Sequence, residues 1–209
     1  MSASIVFNDP TGYYQLQEYQ GPNPGYRKDI LDRIKERLDH SLFNHSQVMT
    51  VPMVIRFPEG LKTTPDNNCF QYFIEEYRRF FNKQGLSPHY VWVTEQNLSS
   101  NRHYHLLWFF NGNKIRYIQV PPRQAQLYWG MALKRFYNYD GYIEGLIHVQ
   151  EVIQDGYSRC GYLIHRSDSD LYKQILMHYS YFAKVNTKGT TPDRVREFGA
   201  SCIRSVIGG

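Results

Sequence analysis

Four side chains in two short segments of this 209-residue chain could act together on a phosphodiester. His103 and His105 begin an apolar run that ends at Phe110, and together they form a metal-binding pattern. Much later in the chain, Tyr181 and Lys184 stand at the two ends of the segment YFAK. A tyrosine with a lysine close by can serve as a nucleophile. Neither pattern is specific alone, but their occurrence in one chain predicts a function.

The histidine pattern predicts a divalent metal site. Alternate residues of a strand project from the same face, so His103 and His105 would project together. Their neutral ring nitrogens can bind a divalent cation. Glu95 ends the preceding predicted strand, and its carboxylate is a suitable third ligand for Mg²⁺ or Mn²⁺. Such a metal would polarise a bound phosphate, whereas the alternative is a pair of surface histidines on an amphipathic strand.

The tyrosine pattern predicts a nucleophile on a helix. In a helix, Tyr181 and Lys184 are i, i+3 neighbours on a polar face, and Lys188 would follow on the same side. An ammonium group favours the phenolate and offsets phosphate charge. Tyr179 is a rival nucleophile, but two residues rotate about 200° around a helix. Its place beside the apolar stripe of that helix predicts a buried structural role.

The elements that must position these residues are predicted from hydrophobic periodicity and from helix stop and start signals. Between Val48 and Ile153 the order is β-α-β-β-α-β, the split-βαβ or ferredoxin-like order of an α+β protein. This order predicts an antiparallel sheet with helices on one face and the other face open. Pro52 predicts an edge or a bulge in the first strand. The predicted elements are a helix over 27–43, strands over 48–57, 90–95, 103–110 and 142–153, and helices from Asn67 or Asn68 to Lys83, from Pro121 to Tyr139, and from Ser167 or Ser169 to Asn186.

The division of the chain follows from where the motifs lie. Residues 1–47 form an N-terminal arm and helix, and residues 48–209 form a catalytic domain that contains both motifs. The net charge of +5 and the pI near 9.0 favour a polyanionic partner without identifying it. Arg102 and Lys188, which flank the motifs, are candidate nucleic-acid contacts. No run of 18 apolar residues is present, so no membrane partner is expected.

Taken together, the motifs resemble those of a known superfamily. A strand bearing H-Y-H followed by a helix bearing Y-F-A-K is similar to the HUH endonucleases, which include rolling-circle replication initiators and relaxases. The resemblance is greatest to the inovirus Gp2-type proteins of filamentous phages and prophages, and it covers roughly residues 48–204. The matching segments are Tyr90–Glu95, His103–Trp108, Tyr179–Lys184 with Thr187 and Lys188, and Glu197–Ser201.

The resemblance implies an activity and a place of action. The expected substrate is single-stranded DNA or an origin hairpin, nicked to leave a 5′-phosphotyrosine and a free 3′-hydroxyl, in the cytoplasm of a bacterial host. His103, His105 and Glu95 would be the metal ligands, and Tyr181 the nucleophile. Some phage initiators have a second tyrosine four residues after the first, where this chain has Val185. No GxxxxGK[ST] motif is present, so a host helicase is expected to unwind the DNA.

Two other interpretations of the same pattern remain. The β-α-β-β-α-β order is also that of RNA-recognition domains, whose sheet aromatics stack on bases. Tyr90, Trp92, Trp108 and Phe110 could form such a platform, although no segment matches the usual aromatic signature. A relaxase or a transposase would use the same chemistry in another biological role. Metal-dependent cleavage distinguishes the binding module from the enzymes.

Overall fold

The computed structural model describes residues 4–7, 13–17, 24–96, 101–115, 120–185 and 195–203. These residues form an α+β protein with antiparallel sheets and four α-helices. The helices are α1 Lys28–Asn44, α2 Asn68–Lys83, α3 Val120–Tyr137 and α4 Ser169–Tyr179, and a 3₁₀ turn, Ser180–Ala183, follows α4. The strands are β1 Ile5–Val6, β2 Tyr26–Arg27, β3 Gln47–Arg56, β4 His89–Glu95, β5 His103–Asn111, β6 Ile147–Val149, β7 Val152–Gln154, β8 Tyr157–Arg159, β9 Leu163–His165 and β10 Phe198–Ala200.

The main sheet has the order β10-β4-β5-β3-β6, and β9 pairs with β3 beside β6. Neighbouring strands are antiparallel throughout. The predicted strands over 48–57, 90–95 and 103–110 are confirmed to within a residue at each end. The fourth predicted strand, 142–153, is wrong in extent, because only Ile147–Val149 joins the sheet. The chain then turns back at Asp155 and Gly156, which have φ values of 53° and 78°, and β7 pairs with β8 outside the sheet.

Pro52 lies in a strand with neighbours on both sides, so the predicted edge position is wrong. Its carbonyl accepts a hydrogen bond from the Gln150 N–H at 3.0 Å, just beyond the end of β6. Two residues earlier, the Thr50 N–H donates to the Tyr162 carbonyl at 2.8 Å, just before β9. Pro52 therefore lies at the break between β6 and β9, just past the last residue pair of the β3–β6 ladder.

Helices cover both faces of the sheet. On one face α2 and α3 pack over Trp92, Trp108 and Phe110, and on the other α1, α4 and the 3₁₀ turn pack over Val91 and Leu107. The expectation of an open face is therefore wrong. The central strands contain continuous apolar runs instead of alternating ones, and such runs are typical of strands that are buried on both faces. No helix in the described residues is both long and apolar enough to cross a membrane.

The last helix ends earlier than its periodicity predicts. Its N-cap is Asp168, not either neighbouring serine, and the Asp168 side chain accepts a hydrogen bond from the Leu171 N–H at 3.0 Å. The helix ends at Tyr179 instead of Asn186. The Ser180 hydroxyl donates back to the Met177 carbonyl at 2.7 Å, a local bond that competes with a continued helix. Tyr181 and Lys184 therefore do not share a face of an α-helix.

Candidate metal centre and nucleophile turn

The register of the β4–β5 hairpin brings the three predicted ligands to one face of the sheet. Glu95 pairs directly with His103, and Val93 pairs with His105. Directly opposite residues of an antiparallel pair project to the same side. Glu95, His103 and His105, called here the metal triad, therefore face the side of the sheet that α1 and the 3₁₀ turn cover.

The ligand atoms of the metal triad are close enough to hold one ion. One nitrogen or oxygen from each of the three residues lies within 4.8 Å of the others. The Oε2 atom of Glu95 is 3.0 Å from Nε2 of His105 and 3.7 Å from Nε2 of His103. The Glu95 side chain is 5% exposed, while the imidazoles are 16% and 12% exposed. The two histidines are thus slightly more exposed than the carboxylate.

The donor set fits a divalent cation. Nε2 of His105 is buried and has no hydrogen bond of acceptable geometry within the described residues, despite its short distance to Glu95. Leaving such a group unsatisfied costs about 1–3 kcal/mol, and a bound cation would satisfy it. Two imidazole nitrogens suit transition metals, and a carboxylate oxygen suits Mg²⁺ and Mn²⁺. The site is compatible with a divalent metal and does not identify which one.

The 3₁₀ turn packs against the metal triad. The ring of Phe182, which is buried, lies 5.6 Å from the ring of His105 between centroids. Its neighbour Tyr181 is 39% exposed, the most open side chain of the turn. The Nζ atom of Lys184 lies 3.2 Å from the centroid of the Tyr181 ring, although Lys184 is buried and not on an exposed polar face as expected. This is a cation–π contact between the ammonium group and the face of the ring.

Residues of the N-terminal arm hold both ends of this turn. The Gln17 N–H donates to the Ser180 hydroxyl at 3.0 Å, and the Val185 N–H donates to the Gly25 carbonyl at 3.1 Å. The hydroxyl of Tyr26 donates to the Gln17 carbonyl, which ties the arm to itself. The position of Tyr181 thus depends on contacts between distant parts of the chain.

Tyr179 is a core residue, as its place beside the apolar stripe predicted. It is 1% exposed, and its hydroxyl shares a hydrogen bond with the Thr50 hydroxyl at 2.9 Å. Burial raises the pKa of Tyr179 well above its ordinary value. Its phenolate is therefore harder to form than that of an exposed tyrosine.

Of the two candidate nucleic-acid contacts, Arg102 lies within the described residues and away from the metal triad. Arg102 is buried, and its guanidinium donates to the Asp66 carbonyl at 2.5 Å. Nearby, the Tyr104 hydroxyl donates to Oδ1 of Asn67 at 2.9 Å. Arg102 thus anchors the loop before α2, on the opposite side of the hairpin from the metal triad. Lys188 lies outside the described residues.

One polar residue beside the metal triad was missed by the sequence analysis. Arg56, the last residue of β3, pairs directly with His103 and is exposed. The buried residues on either side of it, Ile55 and Phe57, belong to the core beneath α2 and α3. Their alternation was visible in the sequence, but the pairing of position 56 with position 103 was not.

The fold and site define an α+β protein with a candidate metal centre on a covered sheet. The chain belongs to the YagK/YfjJ C-terminal domain family, whose model matches residues 11–201, a range that includes α1 and both motifs. This family is associated with phage and prophage-like proteins. Among curated proteins and solved structures, no match was found.

Proposed function

We propose that this protein nicks and rejoins single-stranded DNA through a covalent tyrosine intermediate, as a rolling-circle replication initiator of the HUH type. The observation that carries the proposal is the contact of Phe182 with His105, which brings the turn bearing Tyr181 to the metal triad. The antiparallel order β6-β3-β5-β4 supports it, because this is the order of a split-βαβ sheet. Action in the bacterial cytoplasm and kinship with Gp2-type phage proteins belong to the same proposal.

Each residue of the site has a role in strand cleavage. A divalent metal held by Glu95, His103 and His105 would act as a Lewis acid on the scissile phosphate. Tyr181 loses its phenolic proton to solvent and attacks phosphorus, which forms the Tyr–O–P bond and breaks the P–O3′ bond. The leaving 3′-oxygen takes up a proton. The positive charge of Lys184 beside the ring offsets the charge that develops during the attack.

Rejoining is the reverse of this step. A 3′-hydroxyl attacks the phosphotyrosine, the P–O3′ bond forms again, and Tyr181 leaves. Neither direction consumes water, so one ester bond is exchanged for another. Val185 occupies the position at which some initiators have a second tyrosine. A second strand transfer would therefore require Tyr181 to react again, or a second protein molecule to supply its own tyrosine. A host helicase would supply the unwinding.

A binding module of the RNA-recognition type has less support. Trp92, Trp108 and Phe110, three of its four candidate stacking residues, are buried beneath α2 and α3. These rings cannot reach a base without unfolding the core. A relaxase or transposase would share the chemistry, and the biological substrate alone separates it from an initiator.

The deciding experiment detects the covalent adduct. Purified protein is incubated with Mn²⁺ and labelled single-stranded oligonucleotides that tile the replicon carrying its gene, and the products are separated on a denaturing gel. We expect a shifted protein–DNA band in the wild type that is lost in EDTA, in Tyr181→Phe and in a variant with both His103 and His105 changed to Ala.

Tyr179→Phe is the matched control. This variant also removes a phenolic oxygen, from the tyrosine two residues before Tyr181. The adduct should still form, because Tyr179 is buried. An adduct that survives in Tyr181→Phe would show that the nucleophile is wrongly assigned. DNA binding without any cut or adduct on all oligonucleotides would refute the enzyme.

A further inference from the structure

A polar strip continues from the metal triad across the neighbouring strand. Glu95, His103 and Arg56 are directly paired across β4, β5 and β3, so their side chains project to the same face. Directly opposite Cα atoms lie about 4.5–5.5 Å apart, which places Arg56 one strand from a metal ligand. The sheet itself fixes this position, because β3 and β5 pair along their whole length.

The guanidinium of Arg56 is available for a ligand. It makes no ion pair and no hydrogen bond with any of the described residues, and the side chain is exposed. By contrast, Arg27 pairs with Asp29 and Glu197, and Arg37 donates to the Ser201 carbonyl. Arg56 therefore has donors that none of the described residues uses.

The next row of the sheet extends the strip to its edge. His105 pairs with Val54, and Val54 pairs in turn with His148 of β6. These three side chains share the face of the metal triad, and His148 is exposed. A path from the triad past Arg56 towards His148 therefore lies along one face of the sheet.

We propose that Arg56 binds a backbone phosphate of single-stranded DNA, either the one at the metal triad or the next along the strand, and that His148 extends this track. The proposal rests on the proposed function for the identity of its ligand. A guanidinium suits the role because its planar fork makes two parallel hydrogen bonds to phosphate oxygens. Such a contact fixes the position of the DNA and is indifferent to its sequence.

The test measures binding separately from cleavage. Fluorescence anisotropy with a labelled single-stranded oligonucleotide and Mn²⁺ compares the wild type with Arg56→Gln and Arg56→Lys. We expect Arg56→Gln to weaken binding about tenfold and to lower the salt slope by roughly 0.7, the value for one lost contact with a single strand. Arg56→Lys should recover part of the affinity, because the charge returns without the fork.

Arg79→Gln is the matched control. It removes the same charge from an arginine that is 61% exposed on α2, beyond the other face of the sheet. Equal affinities for Arg56→Gln and Arg79→Gln would overturn the proposal. Thermal melting checks that each variant is folded, and should Arg56→Gln fail to fold, Arg56→Lys against Arg79→Lys makes the same comparison.

The outcomes separate the two proposals. If the wild type forms the adduct and Arg56→Gln keeps the wild-type DNA affinity and nicking rate, the proposed nuclease stands and Arg56 has no part in its DNA binding. Weaker binding in Arg56→Gln without an adduct in the wild type would keep the phosphate site and refute the nuclease. Failure of the wild type to bind DNA at all would refute both.

Discussion

The metal triad predicts that folding and metal binding are linked through Glu95. The carboxylate is the only anionic group of the three, and its side chain is 5% exposed. A ligand that binds only the folded state stabilises it by RT ln(1 + [M]/Kd). We therefore expect Mn²⁺ to raise the melting temperature of the wild type and Glu95→Gln to remove most of that rise.

The size of the effect follows from one site in a chain of this length. At a metal concentration of about 100 times Kd, the stabilisation is about 2.7 kcal/mol. In a chain of 209 residues, each kcal/mol shifts the melting temperature by about 2–4 °C, so the expected rise is about 5–11 °C. Residues that only support a metal ligand already change affinity by about 10–100-fold when removed. Loss of the carboxylate itself should therefore weaken binding at least about 100-fold, leaving a rise of about 1 °C.

The assay is a thermal melt of EDTA-treated, dialysed protein over a titration of MnCl₂, repeated with MgCl₂. Mn²⁺ should act at lower concentration than Mg²⁺, because imidazole nitrogens suit it better. Glu75→Gln, an exposed carboxylate on α2, is the control and should keep the full wild-type rise. An equal rise in Glu95→Gln and wild type, or none in the wild type at millimolar metal, would refute the assignment of the triad.

Two further predictions concern the parts of the fold that support the site. Thr50→Val leaves the Tyr179 hydroxyl and the Tyr162 N–H without their Thr50 partner. The free energy of unfolding, measured in urea, should fall by about 1–3 kcal/mol. The folded variant should still form the protein–DNA adduct. Burial lowers the pKa of His89 to about 4, whereas an unfolded histidine takes up its proton near 6.5. Between these values the unfolded chain binds more protons, so stability should fall as the pH falls through this range. His89→Gln should show a smaller fall between pH 7 and pH 5 in the same urea assay, and an identical fall would contradict this account.

The metal triad could be predicted from the sequence because its geometry is local. Glu95 and His103 end and begin consecutive strands of one hairpin, and alternation within β5 places His105 beside His103. A strand period and a short connection are sufficient for this inference. The placement of Glu95 beside the two histidines, which depended on the hairpin register, agrees with the cluster that the structure shows.

The turn bearing Tyr181 could not be predicted in the same way. The spacing of Tyr181 and Lys184 is that of neighbours on a helix, but contacts with the arm at Gly25 and Gln17 accompany the end of the helix at Tyr179. Such contacts join residues far apart in sequence, and no local pattern reports them. Burial of both sheet faces, in contrast, has a local signal in the sequence, namely the continuous apolar runs of β4 and β5. These runs were interpreted as half-buried strands, so the prediction of one open face was wrong.

The attachment of the 3₁₀ turn to the arm also sets an order of assembly. The metal triad needs only one hairpin, and contacts so close in sequence form early. The turn closes onto residues more than 150 positions away, as the Gln17–Ser180 and Gly25–Val185 bonds show, and loops of that length close late. On a ribosome, the triad emerges before Tyr181 has been synthesised. A nascent chain therefore contains the metal triad before it contains Tyr181, and the turn joins the triad only when residues 180–185 contact the arm.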